Sequence, residues 1–285
     1  MSFSDSSQKM HATHQNTPPM TIMRDEQKGK SNIICMDTSE QLHRNENVTE
    51  FEDLFKAQRS AMDYQYFGNY TLRRQQVQDE ILLHMIGPNL WDQVLNAGNA
   101  TPWVIYTAGV FGAGKSHVIR ALKFDGTISF QAKYLHIDPD MIKFRLPEME
   151  TYLEENELTA SARLHKESTF LALLLERWAL SRRIPIIVDG SLQDATWYTS
   201  WFAQLQRTEH YKVMLIKVNV ALDVAQARCE SRARTTRRHI PLDLLVRTYE
   251  KCNLSFAQLA NKVDLALEID NTNSQHFIKK IYFNL

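Results

Sequence analysis

The residues best placed to do chemistry lie in one short run, Gly109-Val-Phe-Gly-Ala-Gly-Lys115-Ser116. Its glycines, Gly109, Gly112 and Gly114, let the chain take positive φ and bring backbone N–H groups against phosphate oxygens. A helix beginning at the end of the run adds free N–H groups and the positive end of its dipole. Lys115 would reach the β- and γ-phosphates and the Ser116 hydroxyl would sit on Mg²⁺, with Ala113 and His117 completing the nucleotide cradle. The spacing G-x-x-x-x-G-K-S/T is met in full, which predicts a nucleoside triphosphate and Mg²⁺ as the bound pair.

Such a loop is shared by kinases, switch GTPases and motor ATPases, so other polar residues must choose among them. Asp138 and Asp140 follow a short apolar run ending Leu135-His-Ile. An acid there can take the proton of an attacking hydroxyl, or Asp138-Pro139 can simply cap the next helix. Both readings stand. Ile186-Ile-Val-Asp189 has the form of a buried strand delivering an acid to the metal held by Ser116, against the plainer reading of a turn at Asp189-Gly190. Glu167 shares a helix face with Phe170, Leu171, Leu174 and Trp178, and an acid on an apolar face needs a partner. That partner is a substrate or Arg163, four residues earlier. Arg228, Arg232, Arg234, Arg237 and Arg238 crowd one segment. They are read as a lid that closes guanidinium groups over the transferring phosphoryl group, in preference to a solvated helix face or a nucleic-acid patch. Asn261-Lys-Val-Asp264 matches the guanine-specificity motif but falls between a helix and a strand, so it is discounted.

The elements that must position these groups follow from periodicity. Strands are expected at Trp103–Tyr106, near 135–138, at 184–188, at 212–220 and at 265–269. Helices are expected at 117–124, 159–183, from 222, and at 241–262. Apolar strands separated by helices predict an α/β fold of P-loop NTPase type, a three-layer parallel sheet covered on both faces. Residues 1–48 read as a flexible polar tail, 49–100 as a helical extension, and 101–285 as the catalytic α/β domain. Within the extension, one helix stops at Gly87-Pro88 and a shorter one carries Trp91, Val94 and Leu95.

With 33 basic and 33 acidic residues the net charge is zero, which argues against extended nucleic-acid binding while leaving room for a local basic patch. Cys35, Cys229 and Cys252 show no metal-ligand spacing and read as reduced thiols. No apolar run is long enough for a bilayer and the N-terminus lacks a secretory stretch, so a soluble, cytoplasmic protein without a membrane partner is expected.

Taken in order, the residues resemble the zeta toxin family of P-loop kinases. The shared series is the GAGKS loop, Ile137-Asp-Pro-Asp140, Leu146-Pro147, Glu167, Asp189-Gly-Ser191, the arginine-rich lid with Arg238-x-x-Pro241, and Asp270-Asn271. The resemblance implies a kinase using Mg-ATP on a small-molecule hydroxyl, UDP-N-acetylglucosamine in well-studied members. It further implies Lys115 on the phosphates, Asp140 as base, Arg228 and Arg238 as the phosphoryl clamp, and Glu167, Asp189 and Ser191 lining a sugar-nucleotide site. The family carries Glu and Thr where this chain has Asp189 and Ser191. The lid spacing also differs, which keeps Arg232 and Arg234 as alternative clamps. Residues 1–100 have no counterpart in the family pattern and show no antitoxin-like segment. Two other functions remain open: a polynucleotide or nucleoside kinase of the same fold, and a catalytically weak, nucleotide-controlled binding protein.

Overall fold

Side chains along the central strands alternate between two cores, and that alternation builds the layers. A computed structural model describes residues 51, 53–88, 101–124, 126, 134–273 and 277–283, all within the unit Cys35–Leu285. The tail expected at 1–48 and the short helix around Trp91 lie outside the described residues.

The strands are β1 (Trp103–Ala108), β2 (Leu135–Ile137), β3 (Ile186–Asp189), β4 (Lys212–Asn219), β5 (Leu265–Asp270) and β6 (Phe277–Phe283). Their order is β2-β3-β1-β4-β5-β6, parallel throughout except for the antiparallel β6. The sixth strand was not expected. Its lysine pair, Lys279-Lys280, breaks the apolar run that marks a buried strand, and Ile278, Ile281 and Phe283 are exposed at this sheet edge.

Before β1 come α1 (Lys56–Ser60), α2 (Tyr64–Phe67) and α3 (Leu72–Ile86), the last started by Thr71, whose hydroxyl accepts from the Arg74 N–H. The remaining helices are α4 (Lys115–Phe124), α5 (Pro139–Lys143), α6 (Met149–Asn156), α7 (Ala160–Arg163), α8 (His165–Leu180), α9 (Ala195–Arg207), α10 (Leu222–Thr236) and α11 (Leu242–Leu259). The single helix expected over 159–183 is two, parted at Leu164.

Val104, Tyr106, Ile186, Val188, Val213 and Leu215 face one core with α3, α8, α9 and the end of α11. Ile105, Ile187, Met214, Ile216 and Val218 face the other, with α4, α10 and the start of α11. Period-two side chains buried on both sides give the three-layer α/β/α arrangement. Among the described residues no helix is long and apolar enough to cross a membrane.

Beside the first core, Glu176 has no cation bonded to it among the described residues. Glu176 is buried and accepts from the Tyr106 hydroxyl and from Trp201 Nε1 at 3.0 Å. Burial pushes its carboxyl up to about 6, and the two donors offset this in part. A raised folded pKa contributes stability in full below the unfolded value of 4.5, and the contribution is lost as pH rises through about 6. Urea melts should therefore show wild-type stability falling by about 2 kcal/mol from this group between mildly acid and neutral pH. Glu176→Gln should flatten that slope, and an unchanged slope in the variant would contradict the assignment.

Candidate active site

The phosphate loop joins the end of β1 to α4 at the centre of the sheet, at the carboxyl ends of the parallel strands, where open α/β sheets bind ligands. Gly112 and Gly114 have φ of 78° and 83°. A Cβ on Gly112 would lie 2.4 Å from the Ala225 carbonyl oxygen, and one on Gly114 would lie 2.5 Å from Asn271 Nδ2. Positive φ and closed space together require glycine at both positions. Asn271 Nδ2 donates to the Ala113 carbonyl at 2.8 Å, pinning the loop to the turn after β5. The N–H groups of Lys115 and Ser116 open the helix and have no intrahelical acceptor, so they are available to an anion. Lys115 Nζ rests on the Gly109 carbonyl at 3.1 Å. Ser116 and His117 are exposed beside it.

Two acids expected at the site stand at the ends of neighbouring strands. Asp189 ends β3 opposite Thr107 of β1, accepts from the Thr107 hydroxyl, and meets His136 Nε2 at 2.8 Å. Burial pushes its carboxyl up, but the bonds from His136 and Thr107 and the charges of His136 and Lys115 hold it below the ordinary value. Asp138 takes the capping role, accepting the Asp140 N–H at 2.8 Å. Burial, then Asp189 and Asp140, raise its pKa, so the three carboxylates sense one another.

Asp140 is gripped from two sides. Lys143 Nζ donates to Oδ1 at 3.1 Å and Arg238 Nη2 donates to Oδ2. Burial works against its charge, yet Lys143 and Arg238 outweigh burial and bring the carboxyl down to about 2. The group is ionised at any physiological pH.

The arginine-rich segment read as a lid starts in α10. Arg228 Nη2 donates to the Asn271 carbonyl at 2.9 Å, so this guanidinium lies along the turn that braces the phosphate loop. Arg237 takes the left-handed conformation at the end of α10 and bonds Glu157, as does His239. Arg238, between them, is 8% exposed, and its Nε is buried without an acceptor among the described residues. Burial and the neighbouring Arg238 push Arg232 down, and Asp140 and Asp138 push it up. Burial pushes the Cys229 thiol up, and the charges of Arg232, Arg238 and Lys115 offset this in part. Arg234 is exposed.

Glu167 is 1% exposed and does pair, but with Arg74 of α3 rather than Arg163. Arg163 ends α7 and bonds Glu155, and the break at Leu164 removes the helical i, i+4 neighbourhood. Gln78 Nε2 also donates to Glu167 at 2.7 Å. Ser191 accepts from Gln193 Nε2 at 2.8 Å just beyond Asp189. Sequence reasoning missed Thr107, His136, Arg74 and Glu148, which reach their partners through tertiary packing, and Lys143, which lies three residues from Asp140 in α5.

The guanine-specificity reading of 261–264 fails on position. Asp264 accepts the Val213 N–H at 2.8 Å and Gln206 Nε2 at 2.9 Å, at the start of β4 and the opposite end of the sheet from the phosphate loop.

A family model described as "Zeta toxin" matches residues 89–280. No curated protein matches the sequence. Among solved structures, one from the PezAT chromosomal toxin–antitoxin system of Streptococcus pneumoniae aligns with a TM-score of 0.52 at 17% identity, covering 71% of this chain and 81% of that one. The native AvrRxo1-ORF1:-ORF2 complex gives 0.59 at 15% identity, over 87% of this chain and 79% of that one. The same complex with ATP gives 0.57 at 15%, over 87% and 77%. At these identities the structures speak for the fold. The family match spans well over half of the chain and takes in the phosphate loop, the acids after β2 and β3 and the arginine-rich segment, so the chain belongs to the zeta toxin family and is a nucleotide-binding P-loop kinase.

Proposed function

We propose that the protein transfers the γ-phosphate of Mg-ATP to a hydroxyl of a small molecule, with UDP-N-acetylglucosamine the first acceptor to try. The observation carrying this reading is the position of Asp140 between Lys143 and an Arg238 whose Nε–H is buried without an acceptor among the described residues. An acid for the hydroxyl and a donor for the phosphoryl oxygens thus lie in contact.

The residues fit a triphosphate. The loop is closed to any Cβ at Gly112 and Gly114, the Lys115 and Ser116 N–H groups have no intrahelical acceptor, and the exposed Ser116 hydroxyl makes no side-chain hydrogen bond among the described residues. No group of three or more acidic, histidine or cysteine side chains among the described residues could hold a metal alone. A cation here would take phosphate oxygens and water as well as Ser116, with Asp189 reaching it through water, which is how Mg²⁺ is commonly held. When bound, magnesium would neutralise charge on the β- and γ-phosphate oxygens.

Lys115 and the loop N–H groups of this chain would hold those phosphates. Arg238 would move from Asp140 to the transferring group, with Arg228 or Arg232 beside it. Asp140 would orient the acceptor hydroxyl and receive its proton late, as suits a weak base and a loose transition state. Ser191 and Asp189 would line the acceptor side. Both Glu167 oxygens are engaged, so its part in that site would be to support the wall. The test is incubation with γ-labelled ATP and a panel of sugar nucleotides, nucleosides and a 5′-hydroxyl oligonucleotide. Label should enter a small molecule in wild type and not in Lys115→Ala. Transfer to the oligonucleotide alone, or to none of the panel, would count against the proposal.

A further inference from the structure

A second set of buried charges lies outside the phosphate-loop site and converges on one guanidinium. Arg74 is 3% exposed, Glu148 11% and Glu167 1% at their side chains. Arg74 Nε and Nη2 donate to the two oxygens of Glu167 at 2.7 and 2.8 Å. Its Nη1 and Nη2 donate to the two oxygens of Glu148 at 2.7 and 2.9 Å. Gln78 joins Glu167 to a further pair, since its Oε1 accepts from Arg59 Nη1 at 2.8 Å and Arg59 also bonds Asp79.

The four bonds from Arg74 tie together two parts of the kinase far apart in sequence. Glu167 belongs to the first turn of α8. Glu148 ends the elbow 138–148, which carries Asp140. That elbow is a series of tight turns, Arg145 N–H to Ile142 and Leu146 N–H to Lys143, leading from α5 to Met149. Helix α5 has five residues, far too few to persist without outside support. Asp138 caps its near end, and the Arg74–Glu148 pair closes the far end against α8.

We propose that Arg74 is a positioning residue of this kinase. By gripping Glu148 and Glu167 at once it fixes the elbow 138–148 on α8 and so holds Asp140 in place. Arg74 precedes the residues 89–280 matched by the family model, so the working kinase includes the helices that come before that match. The geometry needs a planar fork with several donors, and a lysine ammonium cannot make two bidentate pairs. The inference rests on the proposed reaction solely for what Asp140 does.

The test uses the full chain with Arg74→Lys, Arg74→Met and the neutral combination Arg74→Met/Glu148→Gln/Glu167→Gln, which leaves no unpaired buried charge. Hydrogen exchange is followed over 138–149 and over 103–124, alongside ATP affinity by calorimetry and transfer kinetics. All three variants should exchange about tenfold or more faster in the elbow, with the phosphate loop and ATP affinity unchanged within about twofold. In transfer, kcat should fall while KM for ATP holds. Wild-type elbow protection in the neutral combination would show that buried Ile142 and Leu146 suffice, and would overturn the proposal. Equal loss across both segments would do the same by making Arg74 a general fold residue. Lost protection with full transfer would remove it from the reaction. If wild type phosphorylates nothing, the reaction falls, and exchange still decides whether Arg74 holds the elbow.

Discussion

Asp140→Asn is expected to lower phosphoryl transfer by about 10²- to 10⁴-fold, the usual range for loss of a positioned acid–base group. Asparagine keeps the shape and the helix position but takes no proton. It also leaves Lys143 and Arg238 facing each other without the anion that now separates them. Arg238 is then free for phosphate, so ATP affinity should hold or rise while turnover collapses. Single-turnover transfer and an ATP titration on the same protein check both halves. Parallel loss of binding and turnover would make Asp140 a structural anchor.

Arg238→Ala should cost about 10³-fold or more in turnover if Arg238 serves as the charge stabiliser of phosphoryl transfer. Arg238→Lys should recover little, because a compact ammonium lacks the planar guanidinium fork that bonds Asp140 through Nη2 while Nε points elsewhere. The pH profile adds a second signature. Lys143 and Arg238 together hold Asp140 at about 2. A depressed carboxyl is ionised, and stabilises the fold, at pH above its unfolded value, and this is lost as pH falls through the folded one. Without Arg238, burial is opposed by Lys143 alone, and the acid limb of the rate profile should move up towards or beyond the ordinary carboxylate range. A limb that stays put in the variant would mean that some other group titrates.

The phosphate loop was legible because each of its constraints is local: turn glycines, a lysine and the start of a helix sit within eight consecutive residues. Asp189 was legible as an acid at the end of a strand, and Asp140 as one just after the neighbouring strand, β2. Their partners were not, since Arg238 lies 98 residues from Asp140 and Lys143 had no signal beyond its place in a short helix. Glu167 announced that it needed a partner, and the local rule pointed to Arg163. The break at Leu164 voided that rule, and the partner proved to be Arg74, 93 residues away. The parallel sheet followed from apolar runs, whereas β6 hid behind the lysines suited to an exposed edge.

The central claim is that the loop after β1 grips a triphosphate and sets its last phosphorus before Asp140. Calorimetry of folded wild type with Mg-ATP tests its first half most directly, with Gly112→Ala as the companion. Wild type should release heat and saturate at one nucleotide per chain. The alanine, forced against the Ala225 carbonyl at a positive φ, should bind about tenfold or more weakly, as strain of about 1–3 kcal/mol implies. No heat from well-folded wild type, or equal binding by the variant, would contradict the account.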